Sequence, residues 1–422
     1  MKHLLSALAL GACLSLPAAA QTLAITNGRV VTNAGPQLEN ATVLITNGDI
    51  VAVGANLSIP ENARIIDAEG GWVTPGLFAG YSQLGLIEVA LEGSTTDQNA
   101  GDSDFSVSLD VSDGFNPAGS HVPTTRMEGV TRAALFPSTG ETIFGGTGAL
   151  IDTAGDADSL FQTESFVFAD VSQSGASTAG GSRPAAWRYL EAAFEDARGY
   201  PLRFATHPEG LVLNRMDAGA LAPVVRGNRM LVLEVDREAD LRRAIRFARE
   251  NAPLQLVILG GAEAWKVADE LAAANIPVLI DPQRNLPGSF DGLASTLANA
   301  RRLHAAGVSL AYTTRTDDGY FNVRLLPQHA GNAVGNGVDW DNAFRSITLT
   351  PAEIFGVGDR YGALAPGYAA DVVVWNGDPL EVMSAPVRVL IDGEIQDMSS
   401  RQTRLRDRYQ NITDDTPIAY RR

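Results

Sequence analysis

The apolar positions of this chain change rhythm along its length. From Leu23 to Val73, short apolar or β-branched runs such as Leu23-Ala24-Ile25, Thr42-Val43-Leu44-Ile45 and Ile50-Val51-Ala52-Val53 alternate with polar turns. Asn27-Gly28 and Asn47-Gly48 lie between such runs, and Asn-Gly there predicts hairpins because both residues tolerate positive φ. Arg64-Ile65-Ile66-Asp67 and Gly71-Trp72-Val73-Thr74 complete a small sheet with no helical pattern. Its missing strands are read at the other end of the chain, in Ala370–Trp375 and Pro386–Gly393, joined by the turn Asn376-Gly377-Asp378-Pro379.

Between these stretches the pattern alternates between strand and helix. Gly129–Phe136 reads as a strand followed by a glycine-rich loop, Gly140–Gly148, whose glycines suit tight turns and which lacks the Gly-Lys-Ser/Thr of a phosphate loop. Ser165–Asp170 reads as a strand, Gly175–Gly181 as a flexible loop, and Pro184–Arg198 and Leu211–Arg226 as helices. From Met230 the alternation is regular. Strands at Met230–Val235, Leu256–Gly261, Ile276–Asp281 and Val308–Thr314 are separated by helical runs at Arg237–Glu250, Ala262–Ala274 and Leu293–Ala306. A parallel barrel needs such repeats and places its active site at the C-terminal strand ends, here Glu234, Gly260, Asp281 and Thr314-Arg315.

Two segments carry a family resemblance. Pro75–Leu86, PGLFAGYSQLGL, resembles the first barrel strand of the amidohydrolase superfamily, in its metal-dependent, imidazolonepropionase-like branch. Gly362-Ala363-Leu364-Ala365-Pro366-Gly367, leading into Ala370-Asp371, resembles that family's C-terminal segment. The resemblance implies an α/β fold: a TIM-like (β/α)8 barrel over 75–361, inserted in a discontinuous β-sandwich made of 21–74 and 362–398. It also implies hydrolysis of non-peptide C–N bonds, amide or cyclic amide, at one or two divalent ions, usually zinc. Such ions are held by His-x-His on the first strand, a bridging residue on the fourth, histidines on the fifth and sixth and an aspartate on the eighth. The ion lowers the pKa of its water so that hydroxide forms near neutral pH.

In this chain those positions have changed. Ala79 replaces the acidic residue of the first strand, Tyr81 and Gln83 stand at His-x-His, Glu234 at the fifth-strand histidine, Gly260 at the sixth and Arg315 most nearly at the eighth-strand aspartate. A shift of one residue would bring Thr314 or Thr316 to that last position, and Asp317 or Asp318 would reach it only from the following loop. A permanent cation at Arg315 opposes a metal electrostatically. The expectation is therefore a degenerate member with no bound cofactor, whose pocket candidates are Tyr81, Gln83, Glu234 and Arg315. Against it stands a relic site whose polar groups merely satisfy one another.

Composition narrows the remaining choices. With 422 residues, 45% of them apolar, the chain can bury a barrel and a satellite domain. Its net charge of −17 excludes nonspecific attraction to nucleic acid or anionic lipid. No Lys or Arg occurs between Arg64 and Arg126, so Asp97, Asp102 and Asp104 are weighed as a weak Ca²⁺ site and read instead as a solvated acidic loop. Lys2, the apolar run Leu4–Leu16 and Pro17-Ala18-Ala19-Ala20 read as a signal peptide over 1–20, giving a periplasmic protein with no stable membrane span. Cys13, the one cysteine, lies inside that segment, so the mature chain has no thiol. Leu10-Gly11-Ala12-Cys13 resembles a lipoprotein box, and anchoring ranks below soluble export.

His121, His207, His304 and His329 show no i, i+2 or i, i+4 pairing, and Gly-x-Ser-x-Gly is absent. Glu88 and Glu92 suit one helix face and are read as solvated. The basic tail 399–422 reads as a helix with an extended end. Three functions stay open: a C–N hydrolase using altered ligands or Glu234 as general base, a noncatalytic binding or partner subunit, and an exported scaffold. The partners considered are a small molecule, a second copy of the chain and a metal-competent amidohydrolase relative.

Overall fold

The computed structural model describes residues 22–315 and 319–410. The signal-peptide reading of residues 1–20, the alternatives Thr316, Asp317 and Asp318, and the tail beyond Gln410 lie outside the described residues. The N-terminal strands are β1 (Thr22–Val30), β2 (Leu38–Thr46), β3 (Asp49–Gly54), β4 (Arg64–Asp67) and β5 (Trp72–Pro75). Then come β6 (Leu77–Ser82), β7 (Val130–Leu135), β8 (Phe144–Asp152), β9 (Leu160–Asp170), β10 (Met230–Val235), β11 (Leu256–Gly260), β12 (Val278–Ile280) and β13 (Leu310–Tyr312). The C-terminal strands are β14 (Val372–Trp375), β15 (Pro386–Ile391) and β16 (Glu394–Ile395).

The terminal strands hydrogen-bond into one eight-stranded sheet, ordered β16-β15-β14-β5-β1-β2-β3 with β4 on β1. The junction is β5 against β14, where Trp72–Pro75 pairs antiparallel with Val372–Trp375. The period of two puts Leu23, Ile25, Val43, Ile45, Val372 and Val374 on one face, where they form a core shared by both ends of the chain. A β-rich domain thus closes only when the chain returns, and its strands form one continuous sheet.

The other eight strands form a nearly closed sheet in sequence order from β6 to β13. Between its edges runs Ser346-Ile347: Tyr312 N–H donates to Ser346 O at 2.9 Å and Phe78 N–H to Ile347 O at 2.8 Å. Phe78, Phe136, Phe166, Val232, Leu259 and Leu279 belong to the core that fills the interior. The architecture is a TIM-like barrel beside a β-rich domain.

The alternation of strand and helix fails in one place. β8 runs antiparallel to both β7 and β9, so those three strands form a meander without crossover helices. The expected glycine-rich loop is largely strand β8. Its glycines answer to packing across the sheet: a Cβ on Gly148 would lie 2.0 Å from the Phe166 ring. The expected Gly175–Gly181 loop overlaps helix Gln173–Thr178, and Glu88 and Glu92 sit in a loop where Glu92 caps a 3-10 turn rather than on one helix face. The later helices fall at Arg183–Gly199, Arg215–Val225, Glu238–Glu250 and Asn299–Ala305. The tail contributes a helix at Arg401–Gln410. No described helix is long and apolar enough to cross a membrane.

The loop following β6 is ordered although acidic. Asp217 accepts the N–H groups of Ser106 and Ser108 at 3.1 and 2.8 Å, as well as both hydroxyls. Ser138 N–H donates to Gln98 O and Thr147 N–H to Leu109 O, which seats this loop along the β7–β8 side. The β9–β13 side carries the open cleft described next.

Candidate active site

Two-residue periodicity carries the barrel lining into its polar mouth. Phe166 and Phe168 on β9 lead to Asp170, Val232 on β10 to Glu234, Leu279 on β12 to Asp281, and Ala311 on β13 through Thr313 to Arg315. Glu234, Asp236, Arg284 and Arg315 line one cleft of about 610 Å³ with Ser174 and Leu286. That size suits a small molecule.

Two guanidinium–carboxylate pairs organise the cleft. Arg315 Nη2 donates to Glu234 Oε1 at 2.6 Å, and the guanidinium lies 5.9 Å from the centre of the buried Tyr81 ring. Arg284 Nη1 donates to both oxygens of Asp236 at 2.8 Å. Burial pushes the Glu234 carboxyl up to about 7; Arg315 opposes the rise, while the charges of Asp170 and Asp236 reinforce it. Burial also raises Asp170, against the hydrogen bonds that Ser172 donates. For Arg315, burial disfavours the charge, but Glu234, Tyr81, Asp236 and Asp170 outweigh it and hold the guanidinium protonated.

Of the residues named from sequence, Tyr81, Glu234 and Arg315 come together. Gln83 is engaged elsewhere: its Nε2 donates to Ser138 Oγ at 2.7 Å and its backbone N–H to Gly319 O. Tyr81 is buried behind Arg315, and burial raises its pKa. Asp170, Asp236 and Arg284 were missed. Asp236 lies two residues beyond Glu234, and Asp170 ends the barrel's fourth strand once the antiparallel β8 is counted. Arg284 belongs to a loop and has no periodicity to reveal it.

The remaining histidines lie apart. His329 Nδ1 is 3.1 Å from Asp281 Oδ1, with both side chains buried. His304 lies 3.0 Å from the Tyr312 hydroxyl, and burial lowers its pKa to about 4. His121 packs edge-on against Tyr320, and His207 contacts Thr206 on an exposed loop.

The donors at the implied metal positions do not fit a metal. Tyr81 and Gln83 stand where the resemblance implies imidazoles, Glu234 is tied to a cation, and the side-chain space at Gly260 is taken. Gly260 has φ +101°, and a Cβ there would lie 2.7 Å from Asp236 Oδ1, so the Asp236–Arg284 pair occupies the space a side chain from this position would need. Among the described residues, no group of three or more His, Cys, Asp or Glu is arranged to hold a metal ion, the acidic loop included.

Known proteins place this geometry in a family. The profile of the amidohydrolase family matches residues 262–401. Amidohydrolase tasK of Hapsidospora irregularis is 23% identical over 402 residues, covering 84% of this chain and 39% of that protein. The chain belongs to the amidohydrolase superfamily. It spans about two fifths of the length of tasK. An amidohydrolase from Thermotoga maritima MSB8 has the same fold, with a TM-score of 0.80 at 24% identity, covering 88% of this chain and 99% of that one. N-isopropylammelide isopropylaminohydrolase from Burkholderia multivorans superposes with a TM-score of 0.52 at 18% identity, over 90% of this chain and 100% of that one. Within this superfamily, the chain presents ion pairs at the strand ends where the resemblance implies ligands.

Proposed function

We propose that this amidohydrolase-superfamily chain is an exported hydrolase of C–N bonds in small molecules, working through Glu234 and Arg315 with the metal centre replaced. The observation that carries this reading is a buried carboxyl with a pKa of about 7 beside a guanidinium on an open cleft at the C-terminal strand ends. A base poised near the working pH combines availability with driving force. Glu234 takes a proton from water as the water oxygen attacks the carbonyl carbon. An N–H of Arg315 donates to the oxygen that gains charge. Glu234 then returns the proton to nitrogen as the C–N bond breaks, leaving acid and amine.

A hydrolysis screen of acylated amino acids, dipeptides and cyclic amides tests this reading. Turnover is expected to be insensitive to chelator and to fall by about 100-fold or more in Glu234→Gln. Full activity in that variant would refute the role given to Glu234. For export, mature protein recovered from the periplasm is expected to begin at Gln21, and an uncut chain in the cytoplasm would refute it.

A second reading is a noncatalytic partner subunit of a metal-competent relative, and it draws on the ion pairs that stand where the resemblance implies ligands. Co-purification with a His-x-His relative, with no turnover by this chain alone, would favour that reading over the first.

A further inference from the structure

We propose that the cleft takes a zwitterion of the α-amino-acid type with an apolar side chain: guanidinium N–H groups of Arg284 receive its carboxylate, Asp236 its ammonium and Leu286 its side chain, beside the Glu234–Arg315 pair that the hydrolase reading uses. This rests on the reading of the cleft as the small-molecule site and extends it to the ligand's charge pattern.

The charges at the mouth alternate. Arg315 pairs with Glu234 and Arg284 with Asp236, all four lining the same 610 Å³ space. A ligand carrying only negative charge would meet Glu234 and Asp236 beside the guanidiniums. A purely cationic one would meet both guanidiniums. A ligand carrying both charges finds a partner for each, and opposed charge placement of this kind is what sets specificity.

The donors are available. Among the described residues, Arg284 bonds Asp236 through Nη1 alone, leaving Nε and Nη2 unspent, and Arg315 bonds Glu234 through Nη2. A guanidinium carries five N–H donors in a planar fork matched to a carboxylate. Glu234 and Arg315 stay paired with each other across the same cleft. At the rim, Leu286 is 79% exposed, which leaves an apolar surface against the polar floor. Among compounds with a hydrolysable C–N bond, this pattern selects those bearing both charges over acylated amino acids and cyclic amides, which bear at most one.

Equilibrium binding to the full chain tests the proposal with L-leucine, N-acetyl-L-leucine, which lacks the ammonium, and L-leucinamide, which lacks the carboxylate. L-leucine is expected to bind at least about 10-fold more tightly than either, one charge-assisted contact being worth that factor. Arg284→Met is expected to weaken L-leucine by about 10-fold or more, and Leu286→Ala, at an exposed position that leaves folding intact, by about 3-fold or more. Equal or tighter binding of either derivative overturns the proposal, as does no binding of L-leucine. Because binding is read without turnover, inactivity with L-leucine bound would overturn only the hydrolase reading, whereas turnover of acylated amino acids without L-leucine binding would overturn only this one.

Discussion

The two ends of the barrel carry arginine–carboxylate clusters of similar chemistry and different consequence. At the N-terminal end, Arg132 on β7 is 2% exposed, with Nε on Asp371 at 2.7 Å, Nη2 on Asp392 at 2.6 Å and Nη1 3.6 Å from Asp152. Its guanidinium also lies 4.2 Å from the Tyr361 ring centre and 4.9 Å from that of Phe161. At the C-terminal end, Arg315 and Arg284 each hold one carboxylate and face a cleft. Every nitrogen of Arg132 is engaged, and two of its carboxylates come from the C-terminal part of the β-rich domain, so this arginine fastens barrel to sheet. Among the described residues, the arginines at the mouth keep donors in reserve and border a cleft rather than a second domain.

The largest effect that would break this comparison is on stability. Arg132→Met strands buried Asp371 and Asp152, and removing one partner of a buried pair costs about 3–5 kcal/mol. Urea denaturation is expected to show that loss, with Arg315→Met losing clearly less because its side chain is 32% exposed. Equal losses would make the two ends energetically alike.

Gly260→Ala sharpens the description of the mouth. The substitution forces a side chain at φ +101° against Asp236, and a strained backbone position costs about 1–3 kcal/mol. The same substitution at Gly335, where a Cβ meets nothing within 4 Å, provides the control. Similar midpoints for the two variants would mean that the Asp236–Arg284 pair does not fill the sixth-strand position.

The mouth should also be visible in the pH dependence of stability. Glu234 rises from an ordinary 4.5 to about 7 on folding, so between these values the folded chain holds a proton that the unfolded chain has released. Its contribution therefore favours folding at the acid end and is lost as pH rises through that window. The stability of the parent relative to Glu234→Gln should fall by on the order of 2 kcal/mol between pH 4.5 and 7 and then level off. A relative stability that rises over this interval would place the carboxylate in a site where pairing outweighs burial.

The smallest effect belongs to the exposed pair Arg29–Glu39 of the sheet domain, 3.2 Å apart with side chains 40% and 75% exposed. Glu39→Gln should change stability by less than about 1 kcal/mol, as surface pairs do, and sets the baseline for both clusters.

How much of this could be read from the chain follows from where periodicity persists. Leu23–Val73 and Ala370–Gly393 announce strands because their apolar or β-branched runs are short and set off by turn residues. The strands from Met230 onward announce a barrel because helices separate them, and counting their ends led to Glu234 and Arg315, which do pair. The β7–β9 meander was hidden because Gly145 and Gly148 read as loop until the rings of Phe168 and Phe166 are seen to need that space. Gln83 has the sequence position of a ligand, but its amide reaches Ser138. Arg284 is set by a loop conformation that no local pattern encodes.

The account turns on whether ion pairs have taken the place of a metal at the barrel mouth. The direct measurement is elemental analysis of the purified mature chain after incubation with excess zinc and desalting. Far less than one equivalent of zinc per chain is the predicted result; one or more equivalents retained would contradict it.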